Sequence, residues 1–239
     1  MFYDQREFDL RCEWGKVGVS QLLPHSDAIV IVDVLSFSTC VDIAVGNGAI
    51  VYPYQWKDES AKDYANSLDA ILANPRHKFD TSYSLSPASL VHLPAGSRLV
   101  LPSPNGSSLS LATGQTPTFA GCLRNAEAVA QTIQQFGKRI SIIPAGEKWM
   151  DGSLRWAIED LIGAGAIIHF LPGKKSPEAK LAEATFLHFQ ADLLSYLQQC
   201  SSGKELIGKG FSIDVNLAAA LNQSNAVPIL ADRAYQQYS

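Results

Sequence analysis

Ala28-Ile29-Val30-Ile31-Val32-Asp33-Val34-Leu35-Ser36-Phe37-Ser38-Thr39 decides the fold class. Its first five residues are apolar and mostly β-branched, the pattern of a strand covered on both faces in a parallel or mixed sheet. Asp33 stands at the exit of that strand. The stretch from Ser38 to Val45 reads as a helix with Ser36 or Ser38 as N-cap, closed by Gly46-Asn47-Gly48, and Ala49-Ile50-Val51-Tyr52 resumes as a strand. Together they make one β-α-β unit.

The alternation continues outward. Lys57 to Leu72 predicts a surface helix and Asn74 to Leu93, irregular in Pro, Ser and His, a loop. Strands are expected at 98–101, 118–121, 139–143 and 227–229, and helices after Pro102 to Ser108 and at 125–136, 156–170, 176–199 and 217–221. Strands alternating with helices imply an α/β layered fold. With 239 residues and no polar linker between two halves, a single α/β domain over 1–239 is expected.

Composition removes several classes of function. Lys+Arg number 19 against 23 for Asp+Glu, with no basic stripe, so no nucleic-acid partner is expected. Cys12, Cys40, Cys122 and Cys200 stand far apart without a CxxC pair, which argues against zinc and against a disulfide framework. His25, His77, His92, His169 and His188 lack paired ligand spacing. The opening Met1-Phe2-Tyr3-Asp4 does not have the form of a signal peptide, and no apolar run approaches the ~18 residues of a membrane span. A soluble, cytoplasmic protein without a membrane partner is the expectation.

Acids and amides fall at the carboxyl ends of expected strands, where open α/β sheets bind ligands. Asp33 is the sharpest of these, because hydroxyls and a helix N-terminus follow it. Such a place suits an anion, and the carboxylate can hold a hard cation beside it. The reading that competes is an Asp that only caps its turn. Pro104-Asn105-Gly106-Ser107-Ser108 offers an amide, two hydroxyls and a glycine that lets backbone approach an anion, yet Asn-Gly is also an ordinary turn. Ala145-Gly146-Glu147 follows Ile142-Ile143-Pro144 in the same manner. Glu159 and Asp160 are neighbours on an expected helix, diverging by about 100°, so one of the two is expected to face the Asp33 strand end, with Glu159 the better candidate. Asp214 ends another apolar segment.

Read in order, Val32-Asp33-Val34-Leu35-Ser36-Phe37-Ser38-Thr39, Pro104-Asn105-Gly106-Ser107, Leu123-Arg124-Asn125-Ala126, Ala145-Gly146-Glu147, Ile158 to Ala166, and Gly210-Phe211-Ser212-Ile213-Asp214 to Val227-Pro228 resemble the 2-phosphosulfolactate phosphatase (ComB-type) family. The resemblance covers most of the chain. It implies a three-layer α/β/α fold with a mostly parallel or mixed sheet, and magnesium-dependent removal of phosphate from 2-phospho-3-sulfolactate. Two departures stand out. The family's first motif usually reads Asp-Val-Leu-Arg where this chain has Ser36, and its Gly-Glu-Arg-Gly stretch is represented only by Asn74-Pro75-Arg76. Arg is the natural bidentate partner of phosphate and sulfonate oxygens. Arg76 or Arg155 is therefore a candidate replacement.

The expectation is a Mg²⁺-dependent phosphatase acting on a small phosphorylated anionic hydroxy acid. Asp33, Glu159 and Asp160 are its candidate catalytic groups, and Asp33, Glu147 and Glu159 its candidate metal ligands. Ser36, Ser38, Thr39, Asn105, Gly106, Ser107 and Arg124 are the candidate substrate contacts. A homo-oligomer is compatible with this reading. The alternative is a non-catalytic small-anion-binding protein on the same scaffold.

Overall fold

The computed structural model of the chain describes residues 2–55, 58–74 and 82–238. Arg76, one candidate replacement for the missing arginine, lies outside them, as do His77 and the first residue of the helix expected from Lys57.

The chain begins with β1 (Leu10–Cys12), α1 (Gly15–Leu22), β2 (Ala28–Val32), α2 (Phe37–Gly46) and β3 (Ile50–Tyr54). There follow α3 (Glu59–Ser67), β4 (Ile71–Leu72), α4 (Pro87–Leu90), β5 (Arg98–Pro102), α5 (Gly106–Ala112) and β6 (Thr118–Gly121). Next come α6 (Ala126–Ile133), β7 (Ile140–Pro144), and a ribbon of β8 (Glu147–Lys148) with β9 (Leu154–Arg155). Helices α7 (Ile158–His169), α8 (Pro177–Phe189), α9 (Leu193–Gln199), α10 (Ser201–Gly208) and α11 (Ser212–Ala218) precede the closing strands β10 (Pro228–Ala231) and β11 (Ala234–Gln237).

Among the described residues nine strands form one mixed sheet in the order β1-β7-β2-β6-β10-β11-β3-β5-β4. The two flanks are parallel within themselves, and the antiparallel hairpin β10–β11 joins them. The β-α-β unit expected at 28–52 therefore exists in sequence, but β6, β10 and β11 stand between its two strands. Asp232 and Arg233 both have positive φ, the type I′ geometry whose twist suits a two-residue hairpin.

The run at 28–32 is buried throughout because both its faces are covered. Ala28, Val30 and Val32 pack in one cluster with Val129 of α6, Ile162 and Ile167 of α7 and Phe186 of α8. Ile29 and Ile31 pack in another with Val19 and Leu22 of α1 and Leu109 of α5. The period of two sends alternate residues to opposite sides, which makes the three-layer α/β/α arrangement a direct consequence of five apolar residues in a row.

Several expectations need correction. The charged stretch 57–72 ends its helix at Ser67, and Ile71–Leu72 pairs with β5 as an edge strand. The loop expected over 74–93 contains the short α4. The long helix expected over 176–199 breaks at a 3₁₀ turn, Gln190–Asp192, where the Asp192 side chain caps α9 by accepting from Ser195. The last helix lies at 212–218 rather than 217–221. The four cysteines are buried and form no disulfide with one another. Among the described residues no helix is long and apolar enough to cross a membrane.

Candidate active site

Asp33 leaves the end of β2 and turns its carboxylate between two helices. Its Oδ1 accepts the amide of Phe37, the first residue of α2, at 3.1 Å, and its Oδ2 accepts the amide of Gly106, the first residue of α5, at 3.0 Å. One side chain thus serves two otherwise unmet helix N-termini, where a negative charge is favoured. Gly106 has to be glycine, since a Cβ there would meet atoms of the Phe37 side chain at 2.2 to 2.7 Å.

That contact measures how strongly the sheet is coiled. Between β2 and β5 stand four strands, so a flat sheet would hold their ends roughly 24 Å apart. Residues 103–106 can span only about 14 Å. Twist accumulated along the sheet closes the difference and brings the exits of strands from different flanks together.

Asp160 holds the next two exits. Its Oδ1 accepts the Val34 amide at 2.7 Å and its Oδ2 the Gly146 amide at 2.9 Å, which ties the loop after β2 to the loop after β7. Gly146 has φ +69°, and a Cβ there would sit 2.6 Å from Leu154. The following residue, Glu147, accepts from Asn105 Nδ2 at 2.8 Å. Glu159 is buried like Asp160 and lies against Cys200 at the start of α10. One of these two acids was expected to face the strand end; the structure buries both, because α7 enters under the exits of β2 and β7.

The acids act on one another. Burial pushes the Asp33 carboxyl up to about 6, with the charges of Glu147 and Glu159 adding to the rise and the two amides opposing it. Burial also raises Asp160 well above the carboxylate range, and Asp33 and Glu159 reinforce it. Among the described residues none of these four acids forms an ion pair. A concentration of carboxylates without counter-charge is the donor chemistry of a hard divalent cation. No three His, Cys, Asp or Glu side chains converge on one point among the described residues.

The remaining candidates have other partners. Ser38 Oγ donates to the Ile31 carbonyl and accepts the Asp33 amide, Thr39 Oγ1 donates to the Val34 carbonyl, and Ser107 Oγ donates to the Leu101 carbonyl. Buried hydroxyls must find acceptors, and the nearest ones are carbonyls at the strand ends. Ser36 is buried at the N-cap position of α2, and the peptide joining it to Leu35 is cis. The Gly106 amide is given to Asp33 rather than left open. Arg124 donates from Nε to Asp42 Oδ2 at 2.8 Å and from Nη1 to the Leu217 carbonyl, beside a cavity of about 630 Å³ that none of the four acids lines. Asp214 accepts from Ser86 Oγ and the Ala88 amide at the start of α4.

Sequence reasoning missed Asp42, the buried partner of Arg124. Its signal was there: a lone acid inside the otherwise apolar run Cys40-Val41-Asp42-Ile43-Ala44-Val45. It also missed the β8–β9 ribbon, which puts Arg155 opposite Glu147.

A family model described as 2-phosphosulpholactate phosphatase matches residues 19–233. A protein of Carboxydothermus hydrogenoformans named probable 2-phosphosulfolactate phosphatase is 28% identical over 209 residues, covering 84% of this chain and 85% of its own. The 2-phosphosulfolactate phosphatase of Methanothermobacter thermautotrophicus is 32% identical over 139 residues, 57% and 58% of the two chains. That of Methanocaldococcus jannaschii is 26% identical over 170 residues, 70% and 66% of the two chains.

Proposed function

Because this chain belongs to the 2-phosphosulpholactate phosphatase family, we propose that it is a magnesium-dependent phosphatase that hydrolyses the phosphate ester of 2-phospho-3-sulfolactate or a related small phosphorylated hydroxy acid. The observation that carries this reading is Asp33, fixed by the first amides of two helices beside three other acids that have no counter-ion.

Asp33 with Glu147 or Glu159 would hold Mg²⁺. When bound, the ion polarises a phosphoryl oxygen and lowers the pKa of a bound water. The protein's own contribution is position. Asp33 keeps its orientation because both oxygens are already bonded to backbone, and lone pairs remain on each for a cation. Asp160 fixes the loops that carry Asp33 and Glu147. Asn105, bonded to Glu147, orients that carboxylate and has a second amide hydrogen for a phosphoryl oxygen. Glu159 and Glu147 are the groups free to take a proton from an attacking water, since neither receives two backbone amides.

The test is release of inorganic phosphate from 2-phospho-3-sulfolactate, 2-phospholactate and 3-phosphoglycerate, with magnesium and with chelator. Turnover that requires magnesium is the expected result. Absence of release from every ester, accompanied by a thermal shift with the same anions, would replace the enzyme by a small-anion-binding protein on the same scaffold.

A further inference from the structure

Resting on the phosphatase reading, we propose that Arg155 grips the second anionic group, sulfonate or carboxylate, of the phosphorylated substrate and thereby sets its specificity.

Glu147 and Arg155 are directly opposed in the β8–β9 ribbon, so their side chains leave it on the same face. Opposite charges at facing positions ordinarily pair. These two do not. Glu147 turns to Asn105, whereas Arg155 Nη2 donates to Ser202 Oγ at 3.0 Å, at the second residue of α10. The guanidinium also lies over the Trp149 ring, 5.9 Å from its centroid, which limits its rotamers. Carboxylate and guanidinium are thus engaged by different partners, Asn105 and Ser202. Glu159 and Arg155 both reach the start of α10, the one at Cys200 and the other at Ser202, so the two side chains share that helix end.

Electrostatics favour such a group. A substrate carrying a phosphate and a second anion must approach four acids, and one bound Mg²⁺ offsets only part of that repulsion. Arg124, expected among the substrate contacts, is already neutralised by Asp42. Among the described residues Arg155 has no carboxylate partner, and one of its five N–H groups is engaged by Ser202. The rest can form the two-pronged contact that a planar guanidinium makes with paired oxygens.

The experiment compares wild type, Arg155→Gln and Arg155→Lys on 2-phospho-3-sulfolactate, 2-phospholactate and phenyl phosphate, which lacks a second anion. Arg155→Gln should lower kcat/KM on phosphosulfolactate about tenfold or more beyond its effect on phenyl phosphate, mainly through KM, with partial recovery in Arg155→Lys. A loss shared by 2-phospholactate assigns the contact to the carboxylate, and a loss confined to phosphosulfolactate assigns it to the sulfonate. Equal losses on all three substrates, or no loss, would overturn the proposal. Equilibrium binding of 3-sulfolactate to the same proteins separates this from failure of the phosphatase reading. If wild type turns over none of the esters yet binds sulfolactate, and Arg155→Gln does not, the contact stands without the enzyme; undiminished binding in the variant, or none in wild type, removes it.

Discussion

The carboxylate of Asp33 and the backbone amide of Gly106 meet at 3.0 Å although their strands are separated in the sheet by four others. This one hydrogen bond joins the two flanks at the edge where the acids gather. It gives Asp33 a structural role beside the chemical one proposed for it.

Gly106→Ala tests that junction. The added methyl would lie inside the Phe37 side chain, so α5 has to move and the amide with it. Overpacking of this kind costs about 1–3 kcal/mol. Urea denaturation should show a loss in that range, and phosphate release should fall by more than the unfolded fraction explains. Wild-type stability would mean that the two helix starts are not locked together.

Asp33 predicts a pH dependence in protein freed of metal. Burial raises its folded pKa to about 6, above the ordinary aspartate value of 3.8, so the folded state binds the extra proton between those values. Stability therefore falls as pH rises through that window and is greater at pH 5 than at pH 7, by about 1 kcal/mol from this group. Asp160 shifts the same way and adds to the trend. Denaturation of wild type and Asp33→Asn at pH 5 and 7 should show the difference between the two proteins changing by that amount. Magnesium should reduce the wild-type trend by favouring the ionised carboxylate, and Asp33→Asn should lose magnesium-dependent turnover.

Glu159 and Asp160 should separate by readout. Asp160→Asn leaves one acceptor where two buried amides, of Val34 and Gly146, were met, and an unmet buried amide costs about 1–3 kcal/mol. Melting temperature and activity should fall together. Among the described residues Glu159 receives no backbone amide, so Glu159→Gln should weaken the response to magnesium with a smaller change in melting. The reverse pattern in melting and magnesium titrations would exchange the two roles.

Arg124→Ala should act on stability and leave substrate affinity nearly alone. It strands the Asp42 carboxylate, which is fully buried and paired with Arg124. Breaking a buried pair from one side costs about 3–5 kcal/mol. A raised KM at unchanged melting temperature would return Arg124 to the substrate.

Much of the fold was legible in local pattern. The five apolar residues at 28–32, the Asn-Gly turn after β5 and the small-residue helix at 158–169 are each specified by neighbours within a few positions, through side-chain period, caps and turns. The placing of Asp33, Asn105 and Glu147 at strand exits followed from the same signals. What escaped was weakly patterned or set by distant partners. The three residues of β1 are too short to show a period, β11 carries Gln236 and Gln237, and the break at 190–192 rests on an Asp192 cap inside a helical composition.

The sequence by itself determined the layered α/β class and the set of acids, because burial on both faces and turn chemistry are written residue by residue. The tertiary structure alone decided what each polar group does. Coiling of the sheet brought Gly106 to Asp33, the entry of α7 gave Asp160 two amides to hold, and α2 supplied Asp42 to Arg124. A buried polar atom takes whichever partner packing places beside it, and packing between segments tens of residues apart is not encoded in their local periods.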